Sequence, residues 1–361
     1  MRPDEHQERM HVNDIIAGLD RIEQAAGHGS GSDLPHGLAS LKEGCVAFRD
    51  FIESPAMAIS PGIPWHRVEI RDMAEYVAAS MDLVRLFNQI ADKSRVKRIR
   101  KHLSLVGRGC FGIAATKNQQ HQVSRIRNGL IAKGIVPPAY DEFLDASRKT
   151  IELMVGMALL GHTAEVSFED CVHSEKDGPN PDVIVRFDDL RVGIACKSIT
   201  TTNREGIFER IRSGVRQITR AHREKMCDTG LVLLDISSIL EHDALYMLTP
   251  PIGVWYMGDI PDVIKERTAG AFARALGIDD PQKIGDVIGD LYTRPFTDLG
   301  PTPVTPIAEP CVLVYGHSLM IGANTSVEGP VYAKVLIDYY FNDQGRTKGL
   351  VTELNKRLHG Q

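Results

Sequence analysis

Apolar residues recur at intervals of three and four along roughly the first 140 residues of the chain. This spacing places them on one face of a helix with 3.6 residues per turn, and it predicts a helical N-terminal region. Pro137 and Pro138 interrupt the pattern, and a further helix is predicted from about Asp141 to Gly161. The apolar positions that carry the first helices are Ile15, Leu19 and Ile22, then Leu41, Phe48 and Ile52, then Met73, Val77, Met81, Val84, Phe87 and Ile90.

The pattern changes after Gly161 to short runs of aliphatic and β-branched residues bounded by turn residues. Such runs are typical of β-strands. Between the third and fourth runs, Phe208, Ile211, Val215 and Ile218 return to helical spacing, which predicts a helix from Ile207 to Lys225. The predicted order is therefore helix, three strands, helix, strand, with the strands at 164–168, 182–187, 192–197 and 231–236.

The remaining C-terminal segment extends this core. A helix is predicted around 262–276, a proline-rich loop at 295–310, strands at 311–315 and 331–341, and a short charged helix at the end. We therefore predict an α/β protein in which 1–140 forms a helical region and 141–361 a second domain. The core of that domain lies at 141–240, and the rest is a C-terminal elaboration.

The composition is that of a folded globular protein, with 43% apolar and 25% charged residues among 361. The longest apolar run, from Leu153 to Leu160, is too short to cross a bilayer, and no apolar segment follows the charged N-terminus as in a secretory signal. The six cysteines are widely spaced without a C-x-x-C pair, so neither a disulfide framework nor a zinc ribbon is indicated. These features predict a cytoplasmic protein with no membrane partner.

Charge is segregated along the chain despite a net charge of only −5. No acidic residue occurs between Lys93 and Tyr140, a span of 48 residues. Such a segment favours binding a polyanion through phosphate contacts, although a solvated basic face or the acidic surface of a partner protein stays open as an alternative. The basic segment 93–133 contains Lys93, Arg95, Lys97, Arg98, Arg100, Lys101, Arg108, Lys117, Arg125, Arg127 and Lys133, and the predicted helix 207–225 adds a stripe of Arg212, Arg216 and Arg220.

Three residues of the predicted core combine charge with apolar surroundings. Glu152 is the only charged residue between Ile151 and Gly161, so its carboxylate must be paired, protonated or bound to a cation. Asp182 follows Pro181 at the start of a strand, and Lys197 comes 15 residues later on another strand. Strand alternation places Lys197 on the same face as Ala195, where the lysine requires an anionic partner.

These residues and their order resemble the PD-(D/E)XK nuclease superfamily, which has the restriction-endonuclease-like fold. The resemblance covers about 141–240 and rests on the αβββαβ order, on Pro181-Asp182, on the strand Ala195-Cys196-Lys197 and on Gln217 of the next helix. It implies that Asp182, Glu152 and the Cys196 carbonyl bind Mg²⁺ or Mn²⁺. It also implies that Lys197 orients the attacking water and that Gln217 completes the catalytic site.

The chain departs from the family pattern at Ala195, where an aspartate or glutamate is expected. Loss of this carboxylate weakens the ligand set for a hard cation. Glu205 or Glu209 on the neighbouring helix could replace it, as in some members of the family. Each residue of the pattern also has a structural reading, in which Lys197 extends to solvent, Asp182 caps a turn, Glu152 pairs with Arg148, and Gln217 is solvated.

The sequence thus predicts a metal-dependent endonuclease acting on nucleic acid, with DNA favoured over RNA on the resemblance alone and with defence against foreign DNA as a potential setting. Family members often dimerise to cut two strands, which suggests a homodimer. The alternative is a catalytically silent nuclease fold that serves as a nucleic-acid sensor or assembly subunit. A thiol nucleophile built on Cys171 and His173, or on Cys196, is a weaker reading, because free cysteines usually act as small core residues.

Overall fold

A computed structural model describes the backbone of residues 12–27, 38, 41–42, 45–46, 49, 80–99, 140–163, 165–168, 181–199, 201–236, 239, 269–321, 330–340 and 345–359. The chain divides into two compact units. Unit 1 comprises Met1–Met157, Glu241–Ile260 and Ser318–Ala333, and unit 2 comprises Ala158–Leu240, Pro261–His317 and Lys334–Gln361. The sequence-based division at residue 140 remains a prediction.

Unit 1 is helical over most of its described residues. Helix α1 runs from Val12 to Ala26 and buries Ile15, Leu19 and Ile22 completely, as the periodicity predicts. Residues 80–89 form a further helix, which carries no label here, and a short 3₁₀ helix follows at Lys93–Ile99. Helix α2, Tyr140–His162, begins in unit 1 and continues into unit 2, close to its predicted bounds.

Unit 2 is built on a mixed sheet of six strands in sequential order. The strands β1 and β2 pair antiparallel, as do β2 and β3, whereas β3 with β4 and β4 with β5 pair parallel. The sheet confirms the α/β class, and the predicted order of helix, three strands, helix and strand is found. The strands are β1 Val166–Phe168, β2 Val183–Phe187, β3 Leu190–Ser198, β4 Thr229–Asp235, β5 Ala308–Ile321 and β6 Pro330–Tyr340.

Helix α3, Arg204–Arg223, connects the parallel strands β3 and β4. The side chain of Asn203 caps its first turn by accepting a hydrogen bond from the Glu205 N–H at 2.9 Å. The buried positions begin at Ile207, whereas the predicted core residue Phe208 is only half-buried and lies beneath the Arg204 guanidinium. The other three predicted core positions, Ile211, Val215 and Ile218, are buried, so only the first position of the apolar face differs from the prediction.

The C-terminal elaboration contains both predicted helices, the first of which is described over 269–275, and one helix that the sequence analysis did not assign. Helix α4, Ile284–Thr293, buries Ile284 and Ile288, and helix α5, Lys348–His359, closes the described chain. Residues 295–307 are irregular as predicted, apart from an isolated bridge between Phe296 and Val304. The predicted loop extended to Pro310, which is wrong at its end because β5 already begins at Ala308. No helix among the described residues has both the length and the apolar character needed to cross a bilayer.

Glu309 of β5 anchors the start of α5. Its carboxylate accepts hydrogen bonds from the Thr347 N–H at 3.0 Å and hydroxyl at 2.8 Å, and from the Arg346 N–H at 3.2 Å. Glu309→Ala is expected to destabilise the protein by about 1–3 kcal/mol, because it leaves the buried Thr347 donors unsatisfied. Urea denaturation measures the change. Glu309→Gln, which keeps an acceptor oxygen, should lose less, and an equal loss in both variants would contradict a capping role.

Candidate functional site

The β2–β3 hairpin determines which residues of the two strands face each other. Phe187 pairs with Leu190, leaving a two-residue turn in which Asp188 adopts a φ of 51°. Aspartate tolerates this left-handed conformation better than most residues do. The register pairs Val183 with Ile194, so that Asp182 stands at the level of Ala195, just before β2 begins.

The Asp182 carboxylate is buried and closely held, with a side chain that is 7% exposed. Its Oδ2 accepts a hydrogen bond from the Cys196 backbone N–H at 2.6 Å and lies 3.5 Å from the Lys197 ammonium. Among the described residues, its Oδ1 receives one long contact, at 3.5 Å, from Gln217 Nε2. Oδ2 therefore makes the closer contacts of the two carboxylate oxygens, whereas the contact of Oδ1 is long.

Lys197 bridges β3 and α3. Its Nζ donates a hydrogen bond of 2.6 Å to Gln217 Oε1, and its side chain is 16% exposed. Gln217 thus contacts Lys197 through its oxygen and Asp182 through its nitrogen. The structure brings together three of the sequence-predicted residues, which come from the start of β2, from β3 and from α3.

Glu152 lies in unit 1, on the part of α2 where neighbouring side chains are buried. It is itself only 3% exposed. Its participation in the site formed by Asp182 remains a prediction. The two glutamates proposed to replace the missing acid, Glu205 and Glu209, are exposed on α3. At 1.5 Å per residue they lie about 18 Å and 12 Å before Gln217 along the helix axis.

Cys196 occupies the strand position between Ala195 and Lys197 and is buried. In a β-strand the N–H and C=O of one residue point to the same side. Because the Cys196 N–H donates to Asp182, its carbonyl is directed toward β2 as well. The backbone of this residue can therefore offer an oxygen on the side where Asp182 lies, and its role as a metal ligand remains a prediction.

The arginine stripe of α3 contacts the irregular segment after α4. Arg212 donates hydrogen bonds to the carbonyls of Leu291 at 2.7 Å and Pro295 at 2.9 Å, and its guanidinium stacks over Phe296 at 3.6 Å. Arg216 forms an ion pair with Asp298 at 2.8 Å. These contacts give Arg212 and Arg216 a role in holding the segment against α3. Nucleic-acid binding by the stripe, including the half-buried Arg220, remains a prediction.

Only the start of the predicted basic segment, 93–99, falls among the described residues. The Lys93 ammonium donates to the carbonyls of Phe87 and Asn88 at the end of the helix 80–89, a favourable position for a cation. Arg95 lies 3.8 Å from Asp92, whereas Lys97 and Arg98 are exposed. Arg100, Lys101, Arg108, Lys117, Arg125, Arg127 and Lys133 lie outside the described residues.

The cysteines of the described residues do not resemble activated nucleophiles. Burial raises the pKa of Cys45 and of Cys227 to about 11, whereas a nucleophilic thiol requires a lowered pKa. Cys196 is buried, and Cys171 and His173 lie outside the described residues.

The raised pKa of Cys227 predicts a pH dependence of folding. An unfolded thiol ionises near its ordinary pKa of 9.0, while the folded thiol stays protonated up to about pH 11. Its contribution to stability is therefore intact below pH 9 and is lost as the pH rises toward 11. We expect the free energy of unfolding, measured with urea at pH 8 and pH 10.5, to fall less in Cys227→Ala than in the wild type. An identical fall in both proteins would contradict this assignment.

No protein-family model matches the chain, and neither a curated protein nor a solved structure matches it. The arrangement of Asp182, Lys197 and Gln217 therefore has to be interpreted from its own chemistry. It combines a buried carboxylate, an ammonium group and an amide within 3.5 Å of one another. Such a set can orient a water molecule, stabilise a developing negative charge and bind a cation.

Proposed function

We propose that the protein is a metal-dependent nuclease with a restriction-endonuclease-like core, which hydrolyses phosphodiester bonds of nucleic acid, with DNA as the favoured substrate. The observation that carries this proposal is the convergence of Asp182, Lys197 and Gln217 from separate elements of the αβββαβ succession. The antiparallel pairing of β1, β2 and β3 and the parallel pairing of β3 with β4 support the same interpretation.

The donor set fits Mg²⁺ or Mn²⁺ bound together with a substrate phosphate. Mg²⁺ is commonly held by one or two carboxylates, with water and phosphate oxygens completing an octahedron. Asp182 Oδ1 would supply the carboxylate oxygen, because its contact with Gln217 is long. The Cys196 carbonyl would add a neutral oxygen, and Glu152 is the candidate for a second carboxylate. When bound, the ion would polarise the scissile phosphate and lower the pKa of a water molecule.

Lys197 would stabilise the negative charge that develops on the phosphoryl oxygens and hold the attacking water. A fixed ammonium group is effective in this role when water is largely excluded and the group needs no reorganisation. Gln217 holds the ammonium group in a fixed position, because its Oε1 accepts a hydrogen bond from the Lys197 Nζ at 2.6 Å. The Asp182 carboxylate, at 3.5 Å, balances the lysine charge before substrate binds.

A specific observation favours the second candidate, a catalytically silent nuclease fold that binds nucleic acid. Ala195 replaces the expected acid and is completely buried, while Asp182 is also buried and its Oδ2 accepts a hydrogen bond from the Cys196 N–H. In this alternative the Asp182–Lys197 pair stabilises the fold. The exposed Lys97 and Arg98 would then contribute phosphate contacts as part of a sensor or assembly subunit.

Cleavage assays distinguish the two candidates. The full chain is incubated with single- and double-stranded DNA and RNA in the presence of Mg²⁺, Mn²⁺ or EDTA. We expect metal-dependent cleavage by the wild type and by Asp279→Asn, which changes an exposed aspartate, and no cleavage by Asp182→Asn. Binding that is equal in all three proteins and is never accompanied by cleavage would support the silent fold. A failure to bind any oligonucleotide at low salt would instead favour a protein partner for the basic segment.

A further inference from the structure

Residues 295–300, which we call the strap, lie along helix α3 and are anchored near both ends by arginines of that helix. Near one end, Arg212 donates a hydrogen bond to the Pro295 carbonyl at 2.9 Å. Near the other end, Arg223 donates a hydrogen bond to the Leu299 carbonyl. Both anchors use backbone oxygens, so they do not depend on Asp298, the charged residue of the strap.

Asp298 lies between the two anchors and binds Arg216 with both of its carboxylate oxygens. Arg216 Nη1 lies 2.8 Å from Asp298 Oδ2, and Arg216 Nη2 donates a hydrogen bond of 3.2 Å to Oδ1. A guanidinium binds a phosphate group with the same two-pronged geometry. The two side chains are 40% and 48% exposed, so a competing anion has access to the pair from solvent.

The surroundings of Arg216 are positively charged. Burial lowers the pKa of Arg212, and the nearby charges of Arg294 and Arg216 lower it further, whereas Asp298 acts in the opposite direction. The three guanidinium groups therefore repel one another, and Asp298 offsets part of this repulsion. Arg294 is exposed, so an anion that reaches Arg216 from solvent also approaches this second cation.

Arg216 borders the candidate site, because Gln217 follows it on α3. Consecutive helical residues are turned by about 100°. Arg216 thus faces the strap, while Gln217 reaches Lys197. The exposed Ser213 lies on the outer surface of the helix between these two directions, about 60° from Arg216. A nucleic-acid strand in contact with Arg216 can therefore continue over α3 toward the candidate site.

We propose that Asp298 competes internally with nucleic-acid phosphate, occupying the phosphate-binding position of Arg216 until a bound strand displaces it. The inference rests on the proposed function, because it takes nucleic acid as the ligand, and it adds a control on binding. Exposed ion pairs are weak, so exchanging the carboxylate for a phosphate costs little. A strand that also contacts other cations of the protein gains from every phosphate contact, whereas a small anion does not. The strap therefore favours extended polyanions.

Equilibrium binding of DNA tests the inference. A fluorescein-labelled single-stranded DNA is titrated with the full chain in EDTA, and fluorescence anisotropy measures the dissociation constant. Asp298→Asn keeps the size of the side chain and removes its charge, so it should bind the DNA about 2–5-fold more tightly than the wild type. Asp279→Asn removes the same charge from another exposed aspartate and should bind like the wild type.

A double variant shows whether the gain in affinity acts through Arg216. Arg216→Gln should weaken binding, and Arg216→Gln combined with Asp298→Asn should bind no more tightly than Arg216→Gln alone. Each variant is also melted thermally. Because the strap is anchored through its backbone, Asp298→Asn should melt like the wild type. A lower melting temperature without a gain in affinity would mean that Asp298 serves only to hold the strap, and it would overturn the inference.

The remaining outcomes also decide between alternatives. A gain that is equally large in Asp279→Asn, or that persists in the double variant, would indicate a general effect of net charge and would contradict competition at Arg216. Tighter binding by Asp298→Asn without cleavage of any substrate would support the inference and contradict the nuclease. Metal-dependent cleavage with equal DNA affinity in the wild type and Asp298→Asn would do the reverse. A failure of both proteins to bind DNA at low salt would overturn the inference and favour a protein partner for the arginine stripe.

Discussion

Replacement of Lys197 by methionine is expected to lower the rate of metal-dependent cleavage by about 10²–10³-fold, the loss typical of removing one preorganised group that stabilises developing charge. Methionine preserves much of the length of the side chain and removes its charge. The ammonium lies 3.5 Å from Asp182 Oδ2 and donates to Gln217 at 2.6 Å, so the variant also leaves the Asp182 carboxylate without its counter-charge. We therefore expect a loss of stability of about 1–3 kcal/mol as well.

A double variant measures the structural effect by itself. Replacing both partners of a buried interaction is much less costly than replacing one, because no buried charge remains uncompensated. Lys197→Met combined with Asp182→Asn should therefore regain most of the stability lost in Lys197→Met, while cleavage stays absent. Urea denaturation and single-turnover cleavage are measured on both proteins, with Lys356→Met as the exposed control. Because Asp182→Asn removes the proposed metal ligand, cleavage is compared in Lys197→Met alone, at a temperature where that variant stays folded, and wild-type cleavage there would mean that Lys197 acts only through the fold.

The sequence identified the candidate site largely because its residues obey local rules. Strand alternation put Lys197 on the face of β3 that also carries Ala195, and Gly214 of α3 packs on this face. The order of elements placed α3 next, but Gln217 was indicated only by the resemblance to the nuclease family, since α3 carries many other polar residues. The periodicity of apolar residues and the order of the secondary-structure elements depend on residues that are close in sequence. They could therefore be recognised without knowledge of tertiary contacts.

The packing around Ala195 could not be recognised in the same way. It depends on Gly214 and Val232, which lie 19 and 37 residues further along the chain. From the sequence of β3 alone, the missing carboxylate at residue 195 indicates the loss of a metal ligand. The tertiary structure adds that α3 packs against β3 at this residue. Small residues have no periodic signature that identifies their contact partners, so this relationship became apparent only from the packing.

The arginine stripe illustrates a second limit of sequence analysis. Its spacing of four correctly indicates a shared helix face, but the nature of the partner depends on distant segments. Arg212 contacts the carbonyls of Leu291 and Pro295 and stacks on Phe296, about 80 residues away. A guanidinium can bind carbonyl oxygens and an aromatic ring as well as it binds a phosphate. The sequence alone could therefore not tell an arginine that contacts its own chain from one that binds nucleic acid.

Gly230→Ala is expected to cause the largest loss of stability among the substitutions considered, about 3 kcal/mol or more. Gly230 of β4 is paired with Gly193 of β3, and a Cβ at residue 230 would lie closer than 3.0 Å to both the Gly193 carbonyl oxygen and the Ile218 side chain. A side chain can rotate to relieve such a clash, whereas a strand carbonyl cannot. The added methyl group must therefore separate β3 from β4 or displace α3.

Such a displacement reaches the candidate site, because β3 carries Lys197 and α3 carries Gln217. We expect Gly230→Ala to lower the urea midpoint strongly and to reduce Mn²⁺ binding at temperatures where the protein remains folded. Gly289→Ala is the matched control, since nothing lies within 4 Å of a Cβ at this position of α4, and alanine there should be neutral or stabilising by up to about 1 kcal/mol. Equal stability of the two variants would mean that β3 and β4 can separate without cost, and the candidate site would then lack the rigid support that its short hydrogen bonds require.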